Sequence, residues 1–206
     1  MKKILTAPYI DQTQQWVYGC ESISAVMLLQ YLGLEIDPDT FIDTCLPRGF
    51  STGTGENMVA PDPMYYYINE PRDLTGWGCY APCIVTALEN ALTAAGKADL
   101  YTVSDETGKT AAQLCKQYID RGLPVVFWAT LNFEPSETVS QWTLSDGRPF
   151  VWKDHEHCLL LVGYDDENFW FNDPWQNHGC CPCPRALAEK RHAEQGMYAV
   201  AIQPKE

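Results

Sequence analysis

The chain has 206 residues, 46% of them hydrophobic and 12% aromatic, with a formal net charge of −13. Such a composition supplies one domain, or two closely packed lobes, with a substantial core and excludes a disordered chain. The acidic excess argues against a nucleic-acid partner, whose phosphates are held chiefly by Lys and Arg, and disfavours an anionic membrane surface.

The N-terminal MKKILTAPYI has too few apolar residues before Pro8 for a signal-peptide core, and no run is long enough to span a bilayer. As it stands the sequence reads as cytoplasmic, or as secreted if a leader has been removed. Nine cysteines are an odd number in a chain too large to need disulfide staples, so most thiols are expected reduced and at least one free.

In chain order, a first helix is expected from Cys20, with Ile23, Val26, Met27 and Tyr31 on one half-buried face and Gly33 past its end. Asp37 and Pro38 signal the N-cap and first turn of a second helix that Pro47 stops. Residues 50–78 are rich in Gly, Pro, Asn and Tyr and read as a long ordered loop walling a cleft. Pro82 opens a third helix through Ile84, Leu88 and Leu92, ending before Gly96. A Thr110/Gln113 capping box begins a fourth that Gly122 terminates.

The period then changes to that of strands: LPVVFWATL, QWTLSDGRPFVWK with a turn at Asp146–Gly147, CLLLVGYD, NFWFND and MYAVAI, with a short helix in PRALAEKRHAEQG. Helices followed by antiparallel strands predict an α+β fold over residues 1–206, mainly helical to about residue 122 and mainly antiparallel sheet from about 123.

Cys20 stands among the unpaired N–H groups of a helix N-terminus, one of two usual means of lowering a thiol pKa from about 8.5. The other is a histidine. His157 begins one strand and Asp173 ends the next after a tight turn at Asp165 to Asn168, so antiparallel pairing makes them cross-strand neighbours. Asp173 then fixes the imidazole tautomer and leaves the other nitrogen for a nucleophile. A Cys20–His157 thiolate–imidazolium pair, with the sulfur and a ring nitrogen within hydrogen-bond reach or slightly beyond, is the expected result. Gln12, Gln14 and Gln15 lie upstream as candidate donors to an oxyanion, beside the Cys20 N–H.

YGCES, followed by a helix ending in YLG, and HCLLLVGYDDENFWFNDPW resemble the papain-like cysteine peptidases related to bacteriocin leader-processing peptidases, in particular their stand-alone bacterial relatives. PRDLTGWGCYAPCIVTALENAL and LPVVFWATLNF extend the resemblance over nearly the whole chain. It implies a papain-like fold with a helical lobe and a sheet lobe, and Cys20 as nucleophile, His157 as general base and acid and Asp173 as its orienting carboxylate. The family's oxyanion glutamine falls on Gln14, with Gln12 as the substitute. No attached membrane transporter is present in the sequence, so export-coupled leader cleavage does not transfer. The implied function is thiol-dependent cleavage of a peptide or related amide bond through a thioester, without a cofactor.

Two other readings compete. The same fold can serve as a catalytically idle peptide-binding module, and HGCCPCP, with His178, Cys180, Cys181 and Cys183, can serve a zinc or redox protein. Because those ligands lack separated CxxC knuckles, an exposed loop of oxidisable thiols is expected instead. His155 is expected exposed near the strand's end, Cys79 and Cys83 as core or loop thiols, and Asp165, Asp166 and Glu167 as a solvated turn rather than a calcium site. Trp16, Tyr65, Tyr66, Tyr67, Trp77, Trp152 and Trp175 suggest an apolar, ring-lined cleft.

Overall fold

A computed structural model of the chain describes residues 2–175 and 177–205. Strand β1 (Lys3–Ile4) precedes helices α1 (Cys20–Tyr31) and α2 (Pro38–Thr44), short strands β2 (Arg48–Gly49), β3 (Val59–Ala60) and β4 (Tyr67–Ile68), and helix α3 (Ala81–Ala94). Then come β5 (Tyr101–Asp105), α4 (Ala111–Gln117), β6 (Val125–Thr130), β7 (Val139–Leu144), β8 (Pro149–Lys153), β9 (Glu156–Tyr164), β10 (Asn168–Asp173), β11 (Gly179–Pro184), α5 (Arg185–Glu194) and β12 (Ala199–Pro204).

Local signals explain most boundaries. Asp37 accepts from the Thr40 N–H at 2.9 Å to cap α2. The Thr110/Gln113 capping box is reciprocal, at 3.2 and 2.9 Å, and Gly122 adopts φ 82° where the following short 3₁₀ turn ends. Helix α1 differs from the half-buried expectation, because every residue from Cys20 to Leu29 is buried. Its apolar and small residues go all round the helix, as a helix enclosed by protein requires.

The main sheet runs β11-β10-β9-β6-β12-β5, with every pairing antiparallel, and β1 continues the β6 side of β9 by pairing with Tyr164 and Gly163. Strand side chains alternate between faces. Cys158, Leu160 and Val162 therefore join the core of α1 and α3, while Leu159 and Leu161 join a second core with Leu114 of α4 and Ala188 of α5. β7 and β8 form a hairpin that β3 extends in parallel.

Three parts of the pattern reading change. Residues 50–78 contain β3 and β4 and are not loop throughout. Tyr101–Asp105 is a sheet edge inside the expected helical part. Residues 179–184 are an edge strand rather than an exposed loop; Pro182 and Pro184 alternate with residues that can donate to β10, so the missing N–H groups fall on the unpaired side.

Candidate functional site

Cys20 is the first residue of α1 and only 6% exposed, yet it lines a cleft of about 450 Å³ shared with Gln12, Tyr18, Trp77, Glu156, His157 and Trp175. The tight turn that delivers it is built by Asp11, whose carboxylate accepts from the Thr13 N–H and hydroxyl at 2.8 and 2.7 Å, and by the Trp16 and Gly19 N–H groups donating to Gln12 and Trp16 carbonyls.

His157 enters from β9, opposite Ala129 of β6. Its Nε2 donates to Asp173 Oδ1 at 2.7 Å, and both residues are 2% exposed. The antiparallel pairing of β9 and β10, in register through Leu161↔Phe171 and Leu160↔Asn172, makes that meeting. Asp173 also accepts from the Trp175 N–H at 3.0 Å and, through Oδ2, from His178 Nδ1 at 2.9 Å. Burial alone would raise the Asp173 pKa; the His157 charge and the hydrogen bonds from His157, His178 and Trp175 prevail and hold it at about 2. With Nε2 committed to Asp173, the Nδ1 of His157 is the nitrogen left for other partners.

The thiol's hydrogen bond goes to a neighbouring carboxyl. Cys20 Sγ–H donates to Glu21 Oε2 at 3.2 Å, and no hydrogen bond joins it to the His157 ring among the described residues. Burial, followed by the charges of Glu21 and Glu156, pushes the thiol well above its ordinary pKa, opposite to the lowering expected of a helix N-terminus and an imidazole. Glu21 is itself raised to about 7, chiefly by burial, while its own N–H, that of Cys79 and the Cys20 thiol pull the other way. Its Oε1 accepts the Cys79 N–H at 2.6 Å. Gly78 is required beside it: φ is +147°, and a Cβ would stand 2.6 Å from that oxygen and 2.9 Å from the Trp152 ring.

Of the upstream glutamines, the structure brings Gln12 to the cleft, 2% exposed, with Nε2 donating to Val17 O at 3.1 Å. Gln14 and Gln15 are exposed and do not line it. His155 lies outside β9 in a turn at φ 61°, exposed at the cleft rim, its Nδ1 3.3 Å from Pro135 O.

The tail residues do not gather. His178 is spent on Asp173, and along β11 Cys180 is exposed, Cys181 intermediate and Cys183 buried, as alternation across a strand dictates. Cys79 and Cys83 are buried free thiols. Asp165 caps its turn, accepting from the Glu167 and Asn168 N–H groups and from Trp170 Nε1.

Trp77, Trp152 and Trp175 line the cleft as the ring-lined reading expects, whereas Tyr67 is core, Tyr65 and Tyr66 are exposed away from it, and Trp16 donates to Asp39. Sequence reasoning missed Glu21 and Glu156 as site groups. Alternation from His157 carries the signal for Glu156, since a residue beside it on a strand must face the α1 side with Cys158. No helix among the described residues is long and apolar enough to cross a membrane.

A crystal structure described as that of a "putative C39-like peptidase" from Bacillus anthracis superposes with a TM-score of 0.85 at 24% identity, over 100% of this chain and 99% of that one, which shows the papain-like fold. The uncharacterized protein YvpB of Bacillus subtilis (strain 168) is 29% identical over 187 residues, 90% of this chain and 69% of its own length. The profile of the Peptidase_C39 like family matches residues 4–199, and the chain belongs to that family.

Proposed function

We propose that the chain is a cysteine peptidase in which Cys20 attacks a peptide or related amide carbonyl, His157 moves the proton and Asp173 holds His157. The observation that carries this reading is the buried 2.7 Å His157–Asp173 bond opening onto the same cleft as Cys20 at the start of α1. Family and fold support a peptide substrate.

In this reading the reaction starts from a neutral thiol rather than a preformed ion pair, which the Glu21 hydrogen bond and the burial that raises the Cys20 pKa support. Rotation about the Cys20 side chain exchanges the Glu21 bond for His157 Nδ1, and the ring takes the thiol proton as sulfur attacks the carbonyl. The tetrahedral oxyanion then receives the Cys20 N–H and the second amide hydrogen of Gln12, whose first is held by Val17 O. Imidazolium returns its proton to the leaving amine, and water, deprotonated by the same ring, hydrolyses the thioester to regenerate the thiol. Residues 1–206 act in this reading as one domain, with the nucleophile's helix and the histidine's sheet on either side of the cleft.

One observation favours a second reading, a peptide-binding module without chemistry: the thiol is bonded to Glu21 and raised in pKa. The two separate by experiment. Incubation with a peptide library derived from a bacterial proteome, followed by mass spectrometry of new termini, should show cleavage by the wild type that Cys20→Ala and His157→Ala both abolish. Peptide retention with no new termini would leave the binding module.

A further inference from the structure

Three acidic groups meet at the cleft, Cys20 and Glu156 lining it and Glu21 fully buried beside them. Cys20 Sγ, a Glu21 carboxyl oxygen and a Glu156 carboxyl oxygen lie within 4.8 Å of one another, the one such cluster of possible ligand atoms among the described residues. Glu156 supplies an independent sign. The residue keeps an edge at the cleft, but its Oε1 is buried and has no hydrogen-bond partner among the described residues. A buried oxygen left in that state costs free energy unless something binds it.

We propose that Cys20, Glu21 and Glu156 form a divalent-cation site suited to zinc, which masks the thiol when filled. The masking has catalytic meaning only under the peptidase reading above; the binding does not depend on it. One sulfur and two carboxylate oxygens form a donor set that zinc accepts, whereas calcium and magnesium take six or more ligands that are all oxygen. Zinc–sulfur and zinc–oxygen bonds of about 2.3 and 2.1 Å put tetrahedral donors about 3.5 Å apart. Sγ and Glu21 Oε2 already stand 3.2 Å apart, and with every donor pair within 4.8 Å no spacing needs to contract by more than about 1.3 Å. The ion satisfies the Glu156 carboxylate and displaces to solvent the thiol proton and whatever protons the two carboxyls hold, with no change of oxidation state.

The site also differs from the tail thiols in a way an experiment can use, because Cys180 and Cys181 can be removed without touching it. In a Cys180→Ser/Cys181→Ser background of the full chain, zinc titration against a chromophoric chelator should give one ion per chain. Glu156→Gln should weaken binding at least tenfold, and Cys20→Ser at least a hundredfold, with circular dichroism confirming the fold. In the unsubstituted chain, zinc should slow iodoacetamide alkylation of Cys20 at least tenfold, as located by peptide mass mapping. This arm decides the matter even if a variant fails to fold. No stoichiometric binding, affinity unchanged by both substitutions, or alkylation of Cys20 indifferent to zinc would each overturn the site. A chain that binds zinc at Cys20 but cleaves no peptide keeps the site and loses the nucleophile; one that cleaves peptides and ignores zinc does the reverse.

Discussion

Replacing Asp173 by asparagine keeps the side chain's size and removes the charge that faces His157 and His178. In the fold the carboxyl titrates at about 2, against about 3.9 for an unperturbed aspartate. At about 1.4 kcal/mol per pH unit, the gap is worth between about 2 and 3 kcal/mol of stability at neutral pH. The sign follows from the direction. A depressed carboxyl pKa gives stabilisation that is full above about pH 4, falls to about half near pH 3 and is gone below pH 2. Urea unfolding should therefore show Asp173→Asn less stable by about 2 kcal/mol at pH 7, with that difference halved at pH 3. A wild-type-minus-variant difference that is absent at pH 7, or that stays constant down to pH 3, would refute the account of Asp173 as a buried anion held by its two histidines and the Trp175 N–H.

Gln12→Ala should lower kcat on a cleaved peptide about a hundredfold with little change in KM, the loss expected for one oxyanion donor, while Gln14→Ala stays within about twofold. Glu21, whose pKa is raised by burial to about 7, favours the fold below about pH 4.5 and loses that advantage as pH climbs through about 7; Glu21→Gln should flatten the fall in stability between about pH 4.5 and 7 measured by thermal unfolding. Cys180→Ser should shift unfolding free energy by less than about 0.5 kcal/mol, whereas Cys183→Ser, buried beneath α5, should cost about 1 kcal/mol or more.

The parts of the fold that sequence shows are those whose cause is local. Asp37 and Thr110 cap helices through their own side chains, and Gly122 stops one through its own φ. The strand Tyr101–Asp105 has no such cause. Its YTVSD alternates weakly and is held by β12, almost a hundred residues further on, so only the folded partner makes it a strand. β11 is harder still, because two prolines argue against a strand until its place at the sheet edge is known.

The site divides along the same line. His157 and Asp173 are separated by one tight turn, so strand periodicity suffices to bring them together. Gln12 and Gln14 are not separable by counting back from Cys20, because the turn through Asp11 to Gly19 folds the chain onto itself and leaves the nearer glutamine outside. The thiol's partner is set by neither spacing nor motif. Glu21 follows Cys20 directly, but its carboxyl is turned inward by the Cys79 N–H just before α3, and Gly78 makes room for it. That long-range bond holds an acidic acceptor beside the sulfur, whose charge joins burial, the larger cause, in raising the thiol pKa against the pull of the helix N-terminus. The same bond thus anchors α1 to the segment before α3 and fixes which acceptor the buried thiol meets.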